Sequence, residues 1–295
     1  MKIKSVFILF QTIVFTSLGS ITLYAQLVKF SEPITSEKVI HANIEVESLH
    51  LMLNSENSPQ IYNYFSLANN PVNLSTHYEL HGTTGILNIT SNRKKNASRH
   101  KTIGWELFAS AKSAEPAITP LKLSLTDSIP LKLNISVGSS TSDFDLTGLK
   151  LKELKMNIGA CNSKVIFSKP NPTRLKHMHV STGASQLTLS GLGFANFDVM
   201  TFKGGVTDVT MDFEGDLNRK SKVDVRIDAG NLTIYIPKNL AVKLQHTSHF
   251  FSNVTLPDDF TESNGFYYSK NYGKTSGTLI MYLKSGAGSV NMSWK

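Results

Sequence analysis

The units MNIGACNSKVIF (156–167), HVSTGASQLTL (179–189) and TFKGGVTDVTMDF (201–213) repeat one pattern. Each is an alternating apolar run, a glycine, a few small polar residues, and a second alternating run. ISVGSSTSDFDL (135–146), RIDAGNLTIYI (226–236) and LKSGAGSVNMSW (283–294) repeat it again. Anchored on Gly138, Gly159, Gly183, Gly205 and Gly230, the spacings are 21, 24, 22 and 25 residues. Apolar residues recur four and six positions after the glycine: Leu187 and Leu189, Val209 and Met211, Ile234 and Ile236, and Val290 and Met292 after Gly286. Period-two alternation predicts strands with one buried face, and glycine supplies a corner without Cβ strain.

A repeat of this length predicts an all-β chain folded as a β-solenoid. Short strands of each coil stack on the coils above and below, and inward positions form aliphatic ladders. Propeller blades need about 40 residues, and sandwiches carry no recurring motif of this kind. No window shows a capped helical stripe. Weaker versions of the unit precede the regular ones. IEVESLHLML (44–53) puts Glu47 where the glycine would stand, and YELHGTTGILNI (78–89) keeps Gly82 and Gly85. Connections fall around Asn69, Asn70 and Pro71, and around Pro116 and Pro120. Residues 26–128 are therefore read as an N-terminal β cap. Residues 129–295 are read as the repeat stack, with an excursion at 245–278 rich in Ser, Asn, Tyr and Phe.

The 295 residues are 40% hydrophobic and 18% charged, which excludes both a disordered tail and a membrane bundle. A single cysteine, Cys161, excludes an internal disulfide framework and a multi-cysteine metal centre. Lys2 and Lys4, the apolar run Val6 to Phe15, and Leu23-Tyr24-Ala25 predict an export leader over residues 1–25. No later segment has the length to cross a bilayer. Loss of the two leader lysines lowers the net charge from +8 to 8 − 2 = +6. The densest basic cluster is Arg93-Lys94-Lys95 with Arg99, His100 and Lys101. It reads first as a solvated loop and second as a contact for anionic envelope polymers. No aromatic residue interleaves it, so the stacking half of a nucleic-acid site is missing.

LKLNISVGSSTSDFDLTGLKLKELKMNIGACNSKVIF (131–167) and the ending NGFYYSKNYGKTSGTLIMYLKSGAGSVNMSW (264–294) resemble the toast-rack, or adhesin-like, family of exported bacterial proteins. IEVESLHLMLNSE (44–56) and the stretch that follows are similar to the domain that often precedes the repeats. The resemblance implies a right-handed stack of β coils outside the cytoplasmic membrane. It also implies kinship with the C-terminal domains of bacterial cell-wall-antibiotic response proteins. It carries over no catalytic or ligand residues, and the chain departs from the glycine pattern at Glu47 and at 245–278.

Several residue groups are weighed as sites. His177 and His179 lie two apart on a strand, so they share a face that could offer two nitrogens to a metal. Exposed strand histidines are the simpler reading, and His246 and His249 are equally unsupported as metal ligands. Asp143 and Asp145 share a face, as do Asp224 and Asp228 with Arg226 between them. With Asp208 and Asp212 they could form the outward acid ladder of a polysaccharide-acting β-helix. Each also stands at a polar alternate position, where charge serves solubility. Cys161, after Gly159-Ala160, reads as a structural corner residue. The sequons at Asn73, Asn88, Asn96, Asn134, Asn231, Asn253 and Asn291 read as compositional. Phe250, Phe251, Phe260, Phe266, Tyr267, Tyr268 and Tyr272 read as an end cover before they read as a binding platform.

No catalytic, cofactor or metal residue is therefore assigned, and no cofactor is expected. The expected function is a non-enzymatic, adhesin-like or partner-binding module of the cell envelope, meeting an envelope protein or glycan surface. The alternatives are an extracytoplasmic part of envelope-stress signalling and a polysaccharide-acting enzyme.

Overall fold

The computed structural model describes residues 26–47, 49–68, 74–91, 120–139, 141–248 and 252–295, and these are all-β. Their strands begin with β1 (Gln26–Pro33), β2 (Val39–Val46), β3 (His50–Glu56), β4 (Gln60–Ala68), β5 (Leu74–His81), β6 (Thr84–Ser91) and β7 (Pro120–Thr126). The middle of the chain gives β8 (Leu131–Val137), β9 (Ser142–Asp145), β10 (Leu151–Ile158), β11 (Asn162–Ile166), β12 (Leu175–Thr182), β13 (Ser185–Ser190), β14 (Phe197–Asp212) and β15 (Lys220–Ile236). The remainder are β16 (Ala241–Ser248), β17 (Ser252–Thr255), β18 (Phe260–Ser263), β19 (Phe266–Ser269) and β20 (Thr278–Trp294). No described helix is long and apolar enough to cross a membrane.

The strands form two parallel ladders. The first runs β6, β2, β8, β10, β12, then the first halves of β14, β15 and β20, and ends on β16. The second runs β7, β3, β9, β11, β13, the second halves of β14, β15 and β20, and ends on β17. Each coil passes from the first ladder to the second through the repeat's corner, so all six regular units stack in register. Antiparallel strands flank the ladders: β5 on β6, β4 on β7, β1 on β4, and β19 on β16 with β18 beyond it.

Inward side chains meet in rows. One row of the first ladder is Ile44, Ile135, Met156, Val180, Phe202, Val225 and Leu283, all nearly inaccessible to solvent. Burying such side chains contributes about 1.5–3 kcal/mol each, which offsets the entropy of ordering the short strands. Phe202 is the bulkiest member, and Gly204 beside it leaves room: a Cβ there would lie 3.1 Å from the Phe202 ring. A third side without strands closes each coil with turns that bury Leu149, Phe167, Leu192, Phe213 and Leu240. There the buried Asn171 takes the place of a strand pairing. Its Oδ1 accepts from the Leu151 amide (3.2 Å), and its Nδ2 donates to the Leu151 (2.9 Å) and Ala195 (3.3 Å) carbonyls.

Two readings of the sequence change. The column of corner residues is Glu47, Gly138, Gly159, Gly183, Gly205, Asp228 and Gly286, so Asp228 and not Gly230 holds the corner of its coil. Gly230 lies two residues on, between Thr207 and Gly288, with φ of 117°. A Cβ on it would stand 2.0 Å from the Thr207 carbonyl oxygen. Residues 78–89 are not a weak coil: β5 and β6 form an antiparallel hairpin turning at Gly82, whose φ is 62°. The expected leader (1–25), the basic cluster Arg93 to Lys101, and His249, Phe250 and Phe251 lie outside the described residues.

Candidate functional site

Glycine at five of the seven corner positions leaves backbone bare of side chains there, and the corner carries two open groove sections along the stack. Over the coils of Glu47, Gly138, Gly159 and Gly183 the first has a volume of about 450 Å³. A second section of about 310 Å³ lies on the same corner at Arg226, Asp228, Lys284 and Gly286. Between the two sections stands Val206, beside Gly205, a large apolar side chain left 68% exposed. It is in register with Ala229 and Ala287, which makes a small apolar row at the corner.

One wall of the groove is the outward residue two before each corner. In stacking order these are Glu45, Ser136, Asn157 and Ser181 in the first section, Lys203 between the sections, and Arg226 and Lys284 in the second. The wall is acidic at one end, amide and hydroxyl in the middle, and cationic at the other end. In the middle the Asn157 Nδ2 donates to Ser136 Oγ (3.2 Å) and Ser181 Oγ donates to Asn157 Oδ1 (2.8 Å). This relay fixes the rotamers of three polar side chains that still face the groove. At the cationic end Arg226 Nε donates to Asp228 Oδ1 at 3.1 Å. The signal for this wall was present in the sequence once the units are aligned on their corners. Read unit by unit, its members pass for ordinary solvating positions.

The sequence candidates are dispersed. His177 and His179 do share the outer face of β12, but their neighbours differ in kind. His177 is in register with Glu153, which bonds Lys132 at 2.9 Å. That hydrogen bond, ahead of the neighbouring His177 charge, holds the Glu153 carboxyl below its ordinary range. Burial, then Lys203 and Lys155, push His179 below the usual imidazole value. Among the described residues no group of three or more His, Cys, Asp or Glu converges as a metal site. His246 points inward from β16, stacks on Tyr267 at 5.2 Å, and keeps a buried Nδ1 with no hydrogen-bond partner among the described residues.

Each acid is held by its own neighbour. Asp143 meets His50 Nε2 at 2.9 Å, and Asp145 accepts from the Thr147 amide at 3.1 Å. Asp208 accepts from the Asn231 Nδ2 at 2.9 Å, Asp212 pairs with Lys295 at 2.8 Å, and Asp224 pairs with Lys222 at 3.1 Å. Asp143 and Asp145 share the outer face of β9, Asp208 and Asp212 that of β14, and Asp224 and Asp228 that of β15. Cys161 is buried, with Sγ 3.5 Å from the Gly138 carbonyl. Asn88 and Asn134 flank Asn43 in an amide ladder, where Asn43 Nδ2 donates to Asn88 Oδ1 at 2.9 Å and Asn134 Nδ2 to Asn43 Oδ1 at 3.5 Å. In the excursion Phe260 stacks on Trp294, and Lys243 Nζ sits 3.9 Å over the Phe266 ring.

Comparison with known proteins agrees with the resemblance drawn from the repeats. Residues 25–189 match the family described as "N-terminal domain of toast_rack, DUF2154". No curated protein matches the chain. Two solved structures are similar. A candidate cell adhesion protein of Clostridium sporogenes is 17% identical (TM-score 0.41), over 90% of this chain and 99% of its own. A candidate lipid-binding protein of Parabacteroides distasonis is 12% identical (TM-score 0.31), over 90% and 96%. The family match spans more than half of the chain, and the protein is a member of the toast-rack family through its N-terminal domain.

Proposed function

We propose that the protein is an exported, non-enzymatic binding module of the bacterial cell envelope, and that its corner groove is the binding surface. The coils form a right-handed β-solenoid in this reading, in keeping with the strong preference of parallel crossovers for that hand. Residues 26–128 cap the stack, 129–295 supply the repeats, and the 245–278 excursion serves as its other cover. The observation that carries the function is the groove wall. A row of oriented amide and hydroxyl groups beside bare backbone suits an extended ligand lying along the stack, each coil offering one contact. The pairing of every candidate acid with its own neighbour supports binding without turnover.

The test is co-sedimentation of the purified protein with isolated envelopes, before and after protease treatment of those envelopes. The expected result is binding that survives proteolysis and is lost in Ser181→Trp, which fills the groove. Absence of binding sinks the proposal. Binding abolished by proteolysis would identify a protein receptor and favour a role in envelope-stress signalling.

A further inference from the structure

We infer that the groove takes a linear anionic glycan and that Lys203, Arg226 and Lys284 bind its acidic groups; this rests on the binding reading of the groove. The three cations are direct neighbours in one parallel row, on three successive coils. Strands in a sheet lie about 4.8 Å apart, so the charges repeat at that interval along the stack. Like charges placed opposite each other on a sheet destabilise it. Here the row is relieved at one point. Arg226 has Asp228 at 3.1 Å, while neither Lys203 nor Lys284 has an ion pair among the described residues. The other acid on this face of β15, Asp224, is engaged by Lys222 at 3.1 Å. All three cations are exposed.

The row continues into Ser181, Asn157 and Ser136, whose groups suit sugar hydroxyls, and Val206 with Ala229 and Ala287 adds apolar contact at the bend. A single anion would use one cation, whereas a polymer with one acidic group per sugar would meet the row repeatedly. The acidic end at Glu45 repels the same polymer, so the ligand is expected to favour the cationic half. Long-range attraction of this kind weakens as salt shortens the screening length.

The probes are a polygalacturonate fragment, the same fragment with its carboxylates methyl-esterified, and phosphatidylglycerol vesicles. Fluorescence anisotropy should show the acidic fragment binding about tenfold tighter than its ester, with affinity falling as salt rises from about 0.05 to about 0.5 M. The variant Lys203→Gln with Lys284→Gln should lose about tenfold toward the acidic fragment, with a melting temperature no lower than the parent's and a smaller loss toward the ester. Equal binding of acid and ester, both lost in Ser181→Trp, would overturn the anionic inference and leave the groove standing. Binding that needs the lysines but ignores Ser181→Trp would overturn the groove reading. Binding of vesicles without either fragment would replace the polymer with a membrane surface, and binding of no probe would overturn the inference outright.

Discussion

The two ends of the stack solve the same problem in different ways. At the N-terminal end the coil made by β6 and β7 lies outside the coil of β2 and β3, although it comes later in the chain. Both ladders are then finished by antiparallel strands, β5 on one and β4 with β1 on the other. At the C-terminal end the last strand, β20, slides between β15 and the pair β16 and β17. Only Lys243 and Leu244 of β16 are then matched by β19. Unpaired edges invite other chains. The N-terminal edge carries the Glu79 carboxylate held by His77 and His81, each at 2.9 Å, which is the charged kind of edge. The difference teaches that terminal position in sequence and terminal position in the fold are separate properties. Among the described strands the first, β1, is an edge and the last, β20, is an interior partner.

Truncation breaks this comparison most sharply. Removing residues 278–295 deletes the shared neighbour of β15, β16 and β17, and should abolish cooperative thermal unfolding by circular dichroism. Removing residues 26–33 takes an edge strand that pairs, among the described strands, with β4 alone and should leave a cooperative transition at lower temperature. Comparable losses from both would erase the distinction.

Glycine substitutions repeat the test at single-residue scale. Gly288 has φ of 117° and its Cβ would fall 1.9 Å from the Gly230 carbonyl oxygen, so Gly288→Ala forces backbone apart in the interior coil. Gly82, with φ of 62° and open space around it, turns the N-terminal hairpin. Denaturant titration should find about 3 kcal/mol or more lost at Gly288 and about 1 kcal/mol at Gly82. Reversed magnitudes would contradict the register of β15 and β20.

His246 gives an effect of opposite sign. It ends an aliphatic row after Val225 and Leu283 with a buried nitrogen that has no partner among the described residues. His246→Leu should raise stability by about 1 kcal/mol, because it removes an unsatisfied polar group and extends the row. A loss on the same titration would show that the ring's stacking on Tyr267 outweighs that cost.

The smallest effects are in pH dependence. At the N-terminal end burial would raise the Glu37 carboxyl, but hydrogen bonds from Tyr78 (2.7 Å) and Thr35 outweigh it and hold its pKa below 4.5. A depressed carboxylate pKa contributes stability above the unfolded value, lost as pH falls through the folded one. The stability gap between the parent and Tyr78→Phe should therefore be full at neutral pH and shrink below about 4.5. His179 has linkage of the same sign in a higher pH window, through a penalty on its charged form. Its lowered pKa means the unfolded chain binds the proton first, so its contribution falls as pH drops below 6.5. His179→Gln should flatten melting temperature against pH just below that value. An unchanged slope would remove burial beside Lys203 and Lys155 as its cause.

The coils were legible because alternation and small corner residues recur with every unit, and the register confirms five corner glycines at Gly138, Gly159, Gly183, Gly205 and Gly286. Asp228 escaped because its coil has a glycine two residues later, and a glycine search moves to it. Residues 78–89 read as a weak coil in sequence because period-two alternation is the same in parallel and antiparallel strands. The crossing order at both ends was invisible, since no local pattern encodes which distant strand lies alongside. Asn171 left no signal either: one buried amide joining three coils has no periodicity. The groove wall lay between these cases, visible only after the corners are aligned.

The interior placement of β20 also bears on how the protein is made. A chain emerging amino-terminus first from a ribosome or a translocation channel can stack its early coils as it appears. It cannot join β15 to β16 and β17 until the last seventeen residues of strand are released. Joining these strands thus waits on the delivery of β20, which keeps residues 241–277 threadable until then.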